Sequence, residues 1–334
     1  MHSTELVAGR STRKMVSDLV RRVALHSGAS AHLAHRQRKS RILMFHAVGG
    51  DGVEAIYPYQ QAYTTAVFEA EIRYLLRHFT LVPLQRIIES VMGNGTGGGQ
   101  NELALTFDDG LRNTAKTAYP ILHRLGVPAT FFVCPGLLDS GEWQWSYECP
   151  ARLARLSRED RAELLLSLGA PATTAIEAVM SWMSDLEDSR RRAVVGQIRE
   201  ATRGFVPSTA ERFNFDLMTW DELAALDRSL IAIGSHTMTH PVLSRTDRSQ
   251  MRREIIDSKR VLEDRLARPV EYFCYPDGAH NPNVVDLVRQ TYRAAVTTQP
   301  DFILPGQDRW LLPRIGAGEE GVHDLAWRLH RPNS

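Results

Sequence analysis

Apolar residues recur along this chain in two rhythms. Short unbroken runs at 42–45, 103–107, 129–133, 231–234, 270–274 and 294–297 read as buried strands, with a brief further one at 81–82. Between them, apolar positions spaced by three and four residues predict helices at 65–78, 84–92, 113–125, 221–226, 250–266 and 283–291. In the first of these, Val67, Phe68, Ile72, Leu75 and Leu76 share a face, and Thr64 or Thr65 is the N-cap. Upstream, Met15, Val16, Leu19, Val20 and Val23 give residues 11–25 an apolar stripe with a basic outer face. From about 136 to 217 the strands stop. Charged, helix-like texture takes over, with its longest periodic stretches at 152–168 and 176–202. The strand–helix alternation on either side predicts an α/β barrel of parallel strands. The expected organisation is therefore a basic helical extension over 1–41 and a barrel over 42–334, interrupted by a helical insertion at about 136–217.

Composition narrows this picture. With 334 residues, 43% of them hydrophobic, the chain fits one large domain with an insertion better than two equal ones. A formal net charge of +1 gives no reason to expect nucleic acid as a partner. The charge is uneven, however: residues 1–41 carry Arg10, Arg13, Lys14, Arg21, Arg22, Arg36, Arg38, Lys39 and Arg41 against Glu5 and Asp18. A solvated basic face is the plain reading, and peripheral contact with an anionic membrane surface is the alternative. Cys134, Cys149 and Cys274 show no metal-type spacing and read as reduced thiols. No apolar run reaches membrane-spanning length, and residues 1–41 lack a secretory signal pattern, so the expected location is cytoplasmic. The glycine-rich stretch 93–99 lacks the phosphate-loop pattern and reads as a linker.

The chemistry lies at the ends of two strands. Thr106-Phe107-Asp108-Asp109-Gly110 follows one apolar run, and Ser235-His236-Thr237-Met238-Thr239-His240 follows another. An Asp-Asp-Gly alone is commonly a turn, and a His-x-x-x-His alone is commonly an unrelated pair. Both here sit at the carboxyl ends of predicted parallel strands, where α/β enzymes build their sites. One carboxylate with two imidazoles makes a three-ligand divalent-metal site with open positions, and the second carboxylate is left over as a base. A metal-assisted hydrolase is the expected chemistry.

The order of these motifs resembles that of the polysaccharide deacetylases, the NodB-like carbohydrate esterase family four. Phe273-Cys274-Tyr275-Pro276-Asp277-Gly278 is similar to that family's third motif, and Leu312-Pro313-Arg314-Ile315 to its fourth in a bacterial variant. The resemblance implies a distorted (β/α) barrel and hydrolysis of an acetyl group from an amino sugar. It implies Asp109, His236 and His240 as metal ligands, Asp108 as general base, and the Asp277 backbone N–H as oxyanion donor. The family's third-motif arginine is replaced by Cys274, so Arg314 is expected to hold Asp108 ionised instead. Nitrogen and oxygen ligands favour zinc and admit cobalt, nickel or manganese.

The family's last motif, a strand ending in histidine, has no counterpart near His323 or His330. Ile42-Leu43-Met44-Phe45-His46 has that form and resembles a circularly rearranged branch, which makes His46 the expected general acid. Its plain alternative is a strand-end histidine without chemistry. Trp143, Trp145 and Tyr147, and Tyr57, Tyr59 and Tyr63, are candidate sugar-contacting aromatics, with packing as the commoner role; Trp220 reads as core. The expected substrate is an acetylated amino sugar of a poly- or oligosaccharide. The alternatives are a lipid- or nucleotide-linked acetamido sugar and a catalytically silent sugar-binding protein.

Overall fold

In a computed structural model of the chain, residues 39–50, 52, 56, 63–93, 101–171, 173–318 and 321–330 are described. The expected helix at 11–25, Tyr57, Tyr59 and most of the glycine-rich stretch lie outside them.

The described strands are β1 (Arg41–Phe45), β2 (Thr80–Leu81), β3 (Glu102–Phe107), β4 (Ala129–Val133), β5 (Ile231–Ser235), β6 (Tyr272–Cys274), β7 (Ala294–Val296) and β8 (Ile315–Gly316). They form one curled sheet in the order β7-β6-β5-β4-β3-β1-β8, with β2 on β3. Every pairing is parallel. The segment 312–316 joins the two edges: Leu312 bridges Val296 of β7, and Ile315 pairs with Leu43 of β1. The Thr297 N–H donates to the Leu312 carbonyl at 2.8 Å. A single short segment thus acts as the last stave of a barrel.

Parallel strands flanked by helices are buried on both faces, and all of β3 and β4 is buried. The two faces separate by pleat alternation. Leu43, Phe45, Leu105, Phe107, Phe131 and Phe273 share one apolar cluster with Phe68, Ile72 and Leu75 of helix Thr65–His78. Ile42, Ala104, Phe132, Cys274, Val296 and Leu312 form the other, which also takes in Leu84, Ile87, Ile88 and Val91 of helix Leu84–Val91. Gly234 is required where Phe132 crosses this second space, because a Cβ there would lie 2.4 Å from the Phe132 ring. Following the alternation two residues on, Thr106 and Asp108 continue the Ala104 face, His46 continues the Ile42 face, and Arg314 continues the Leu312 face. The polar ends of this inner face make the site.

Between β4 and β5 the chain runs through helices from Pro135 to Phe215. They bury Cys149, Leu153, Leu165, Val179, Met183, Val194 and Ile198 in a cluster of their own. The two long periodic stretches expected here are each broken. Ser157 caps a new helix, Arg158–Ser167, by accepting the Asp160 N–H at 3.0 Å. Leu186 turns extended (ψ 146°) between Ile176–Asp185 and Asp188–Ala201. The helix expected at 113–125 opens with a π turn, Thr114–Ala118, before Tyr119–Leu125. Pro120 lacks the N–H that an α-helical bond to Lys116 would use. Among the described residues no helix is long and apolar enough to cross a membrane. All three cysteines are free and buried.

Candidate metal centre and active site

Backbone turns set the two motifs. After β3 the chain delivers Asp108 and then takes a left-handed conformation at Asp109 (φ 73°) and Gly110 (φ 71°). Gly110 is needed, since a Cβ on it would press on Val133 at 3.1 Å. After β5 the loop reverses through Thr237 (φ 69°) and His240 (φ 57°). A β-branched residue at such a φ is strained, and side-chain bonds hold it there. The His240 N–H donates to Thr237 Oγ1 at 3.0 Å. Glu254 accepts the Met238 N–H at 2.8 Å, the Thr239 N–H at 2.9 Å and the Thr239 hydroxyl at 2.8 Å. Burial nevertheless keeps the Glu254 pKa above the ordinary carboxylate value, against the pull of these donors.

The loops focus three ligand atoms on one place. Asp109 Oδ1 lies 3.4 Å from His236 Nε2 and 3.5 Å from His240 Nε2, and all three residues are almost fully buried. Metal–ligand bonds of about 2.0–2.2 Å in tetrahedral geometry separate ligand atoms by about 3.3–3.6 Å, so the set fits a divalent cation. The His236 ring is oriented by a 2.9 Å bond between Nδ1 and the Cys274 carbonyl, which leaves Nε2 for a cation. The Tyr147 hydroxyl donates to Asp109 Oδ2, the oxygen turned away from the imidazoles. A second grouping, Asp108, His236 and Cys274, is also compact. It is the weaker candidate, because Arg314 occupies both Asp108 oxygens and burial pushes the Cys274 thiol up, keeping it neutral.

Asp108 sits beside this cluster under different control. Arg314 Nη1 donates to Oδ1 at 2.7 Å and Nη2 to Oδ2 at 2.6 Å. The guanidinium is itself held by the Thr297 carbonyl at 2.8 Å and Thr106 Oγ1 at 3.1 Å. Burial alone would raise the Asp108 pKa, but the Arg314 charge outweighs it and holds the carboxyl below its ordinary value. The Cys274 thiol contacts both partners, 3.4 Å from Asp108 and 3.0 Å from Arg314. The arginine missing at position 274 is thus matched in place by Arg314.

Asp108, Asp109, His236, His240 and His46 line one pocket of about 290 Å³, with Asp277 and Thr298. His46 is partly buried at the end of β1. Asp277 is exposed, left-handed (φ 53°), and its N–H makes no hydrogen bond among the described residues. His330 lies at the other end of β1, near Arg41, whose Nε donates to Leu329. A larger cavity of about 470 Å³ borders Met238 and Thr239 from the insertion side but holds none of Asp108, Asp109, His236 or His240.

The aromatic candidates divide. Tyr63 is buried against Phe45 and Phe68 and is core rather than cleft. Trp143 is also buried, donating to Asp216 at 2.9 Å. Trp220, expected as core, is half-buried and donates to Asp139. Trp145 lines the pocket and donates to the His240 carbonyl at 3.2 Å. Tyr147 bonds a metal-ligand candidate instead of standing as an open sugar platform. The sequence signalled neither the bond of Tyr147 to Asp109 nor the bracing of the histidine loop by Glu254.

Residues 96–295, more than half of the chain, match the sequence family described as Polysaccharide deacetylase. YxkH of Bacillus subtilis (strain 168) is 26% identical over 99 residues, 29% of this chain and 36% of that protein. The match therefore spans about a third of that curated relative's length. Among solved structures, the Streptococcus pyogenes deacetylase PplD in complex with acetate is 17% identical with a TM-score of 0.58, covering 88% of this chain and 99% of that one. IcaB from Ammonifex degensii is 16% identical with a TM-score of 0.58, covering 88% and 97%. A de-N-acetylase from Aggregatibacter actinomycetemcomitans is 16% identical, also at 0.58, covering 87% and 99%. At such identities these structures show a common fold. With the motif residues Asp108, Asp109, His236, His240 and Asp277 all inside the matched region, the chain belongs to the polysaccharide deacetylase family.

Proposed function

We propose that this protein is a metal-dependent de-N-acetylase acting on acetamido sugars of a poly- or oligosaccharide. The observation that carries the reading is the division of labour between adjacent carboxylates: Asp109 faces two imidazoles, while Asp108 is held apart and ionised by Arg314. Asp109, His236 and His240 would hold the divalent cation, zinc by ligand type, which when bound supplies Lewis-acid polarisation. Asp108 takes a proton from the attacking water, whose oxygen bonds to the acetyl carbon. The Asp277 N–H, without a partner among the described residues, donates to the developing oxyanion. His46 gives a proton to the leaving nitrogen as the C–N bond breaks, releasing acetate and a free amine. An amide nitrogen needs that proton more than an ester oxygen does, which favours N-deacetylation.

His46 ends β1, the strand between β3 and β8, and this supports a circular rearrangement relative to the family's usual strand order. A second reading, a lipid- or nucleotide-linked acetamido sugar as substrate, draws support from insertion side chains in the pocket, among them Met180 and Ser184.

The test is acetate release from N-acetylglucosamine oligomers and lipid-linked acetamido sugars, before and after chelation and with zinc added back. Acetate lost on chelation and restored by zinc is the expected result. Acetate release that ignores the chelator, in protein shown to be metal-free, removes the metal-dependent reading.

A further inference from the structure

The insertion reaches the reaction pocket through a pinned segment, residues 143–147. Trp143 Nε1 donates to Asp216 at 2.9 Å, Trp145 Nε1 to the His240 carbonyl at 3.2 Å, and the Tyr147 hydroxyl to Asp109. Gln144 lies between these anchors, and its carbonyl accepts the Tyr147 and Glu148 N–H groups at 3.0 Å each. Gln144 is among the residues that line the pocket with His46 and Asp108. The residue is 3% exposed, yet its Oε1 has no hydrogen-bond partner among the described residues. A buried amide oxygen without a partner is rare and unfavourable. Fixed from both sides beside the reacting groups, this amide has hydrogen-bonding capacity left for a ligand.

The geometry points to a one-ring pocket in which Gln144 recognises the sugar that carries the acetamido group, through a ring hydroxyl or the acetamido N–H. This rests on the deacetylase reading above. A cavity of about 290 Å³ lies just under the range of about 300–1,000 Å³ typical of ligand sites. It suits one pyranose better than several. A site built around a buried hydrogen-bonding group also rejects an analogue lacking the matching group far more strongly than an apolar wall does. Gln144 would therefore set which sugar is accepted, while Asp108 and His46 move protons.

The experiment compares zinc-loaded full-length wild type, Gln144→Met and Gln144→Glu. Substrates are the methyl glycosides of N-acetylglucosamine and N-acetylgalactosamine, the N-acetylglucosamine tetramer, the 3-, 4- and 6-deoxy analogues of the better glycoside, and its 2-O-acetyl counterpart lacking the N–H. Wild type is expected to use the better glycoside within about threefold of the tetramer. Gln144→Met is expected to lower kcat/KM on that glycoside by about tenfold to a hundredfold, with thermal stability and zinc content retained. One analogue, the one missing the bonded group, should be used equally by wild type and Gln144→Met. Gln144→Glu, which keeps an acceptor in place, should lose less than Gln144→Met. Equal losses on every analogue, or no loss at all, overturn the recognition role. A wild type that acts only on the tetramer overturns the one-ring pocket alone. No acetate from any substrate overturns the deacetylase reading itself.

Discussion

Arg314 and Asp108 meet as a two-pronged pair inside the barrel, each guanidinium nitrogen bonded to a different carboxylate oxygen at 2.7 and 2.6 Å. Arg314 is fully buried, and Asp108 keeps only a sliver of exposure towards the pocket. Such a pair contributes little when intact and much when broken, because a lone buried charge has no compensation. Arg314→Met is expected to destabilise the fold by about 3–5 kcal/mol and to leave Asp108 protonated, without deacetylase activity. Arg314→Lys cannot reproduce the fork and should retain the fold with a large loss in kcat. Urea unfolding and acetate release check both; full activity in Arg314→Met would show that Asp108 needs no counter-charge.

His46→Ala tests proton delivery to the leaving group. Amide hydrolysis is expected to fall by about 10²–10⁴-fold, and hydrolysis of an acetyl ester by much less. Parallel kcat measurements on the two substrate types decide the matter, and equal losses would assign His46 no acid role.

Tyr147→Phe removes one hydroxyl and keeps a ring stacked on Phe215 at 5.0 Å. With Asp109 Oδ2 deprived of its donor, zinc affinity is expected to weaken about 10–100-fold. Competition against a chromogenic chelator measures it. Unchanged affinity would mean that the hydroxyl only fills space.

Glu71 gives a pH dependence far from the chemistry. Its carboxyl oxygens are buried on helix Thr65–His78 without hydrogen-bond partners among the described residues, and burial first, then Asp324, pushes its pKa from 4.5 to about 9 against the opposing charge of Arg328. Between those values the folded state binds a proton that the unfolded state has released, so stability falls as pH rises from 4.5 towards 9. Glu71→Gln should leave Tm unchanged at pH 4 and raise it at pH 8. The difference grows on the order of 1.4 kcal/mol per pH unit in that window. A Tm difference that is flat across the window would show Glu71 ionised and paired in the fold.

Much of the site could be read in advance because its parts are local. Asp108-Asp109-Gly110 and His236 to His240 each sit at the end of an apolar run, and period-two alternation fixes which side chains point inward. That Cys274 stands where the family carries an arginine, with Arg314 to supply the charge, was legible through the family resemblance. The rest depends on long-range packing. Tyr147 finds Asp109 across 38 positions, and nothing near Tyr147 marks it. Tyr63, a cleft candidate for which packing was the commoner reading, is held in the core by the rings of Phe45 and Phe68. At the helix breaks at Ser157 and Leu186, residues from both sides join one apolar cluster, Leu153 with Leu165 and Met183 with Val194.

Closure of the barrel by residues 312–316 has a bearing on biosynthesis. Arg314 leaves the ribosome 206 residues after Asp108. Until it arrives, sealing the nascent barrel would entomb a naked carboxylate. A chain that stopped short of residue 312 would lack both the stave between β7 and β1 and the counter-charge for that carboxylate.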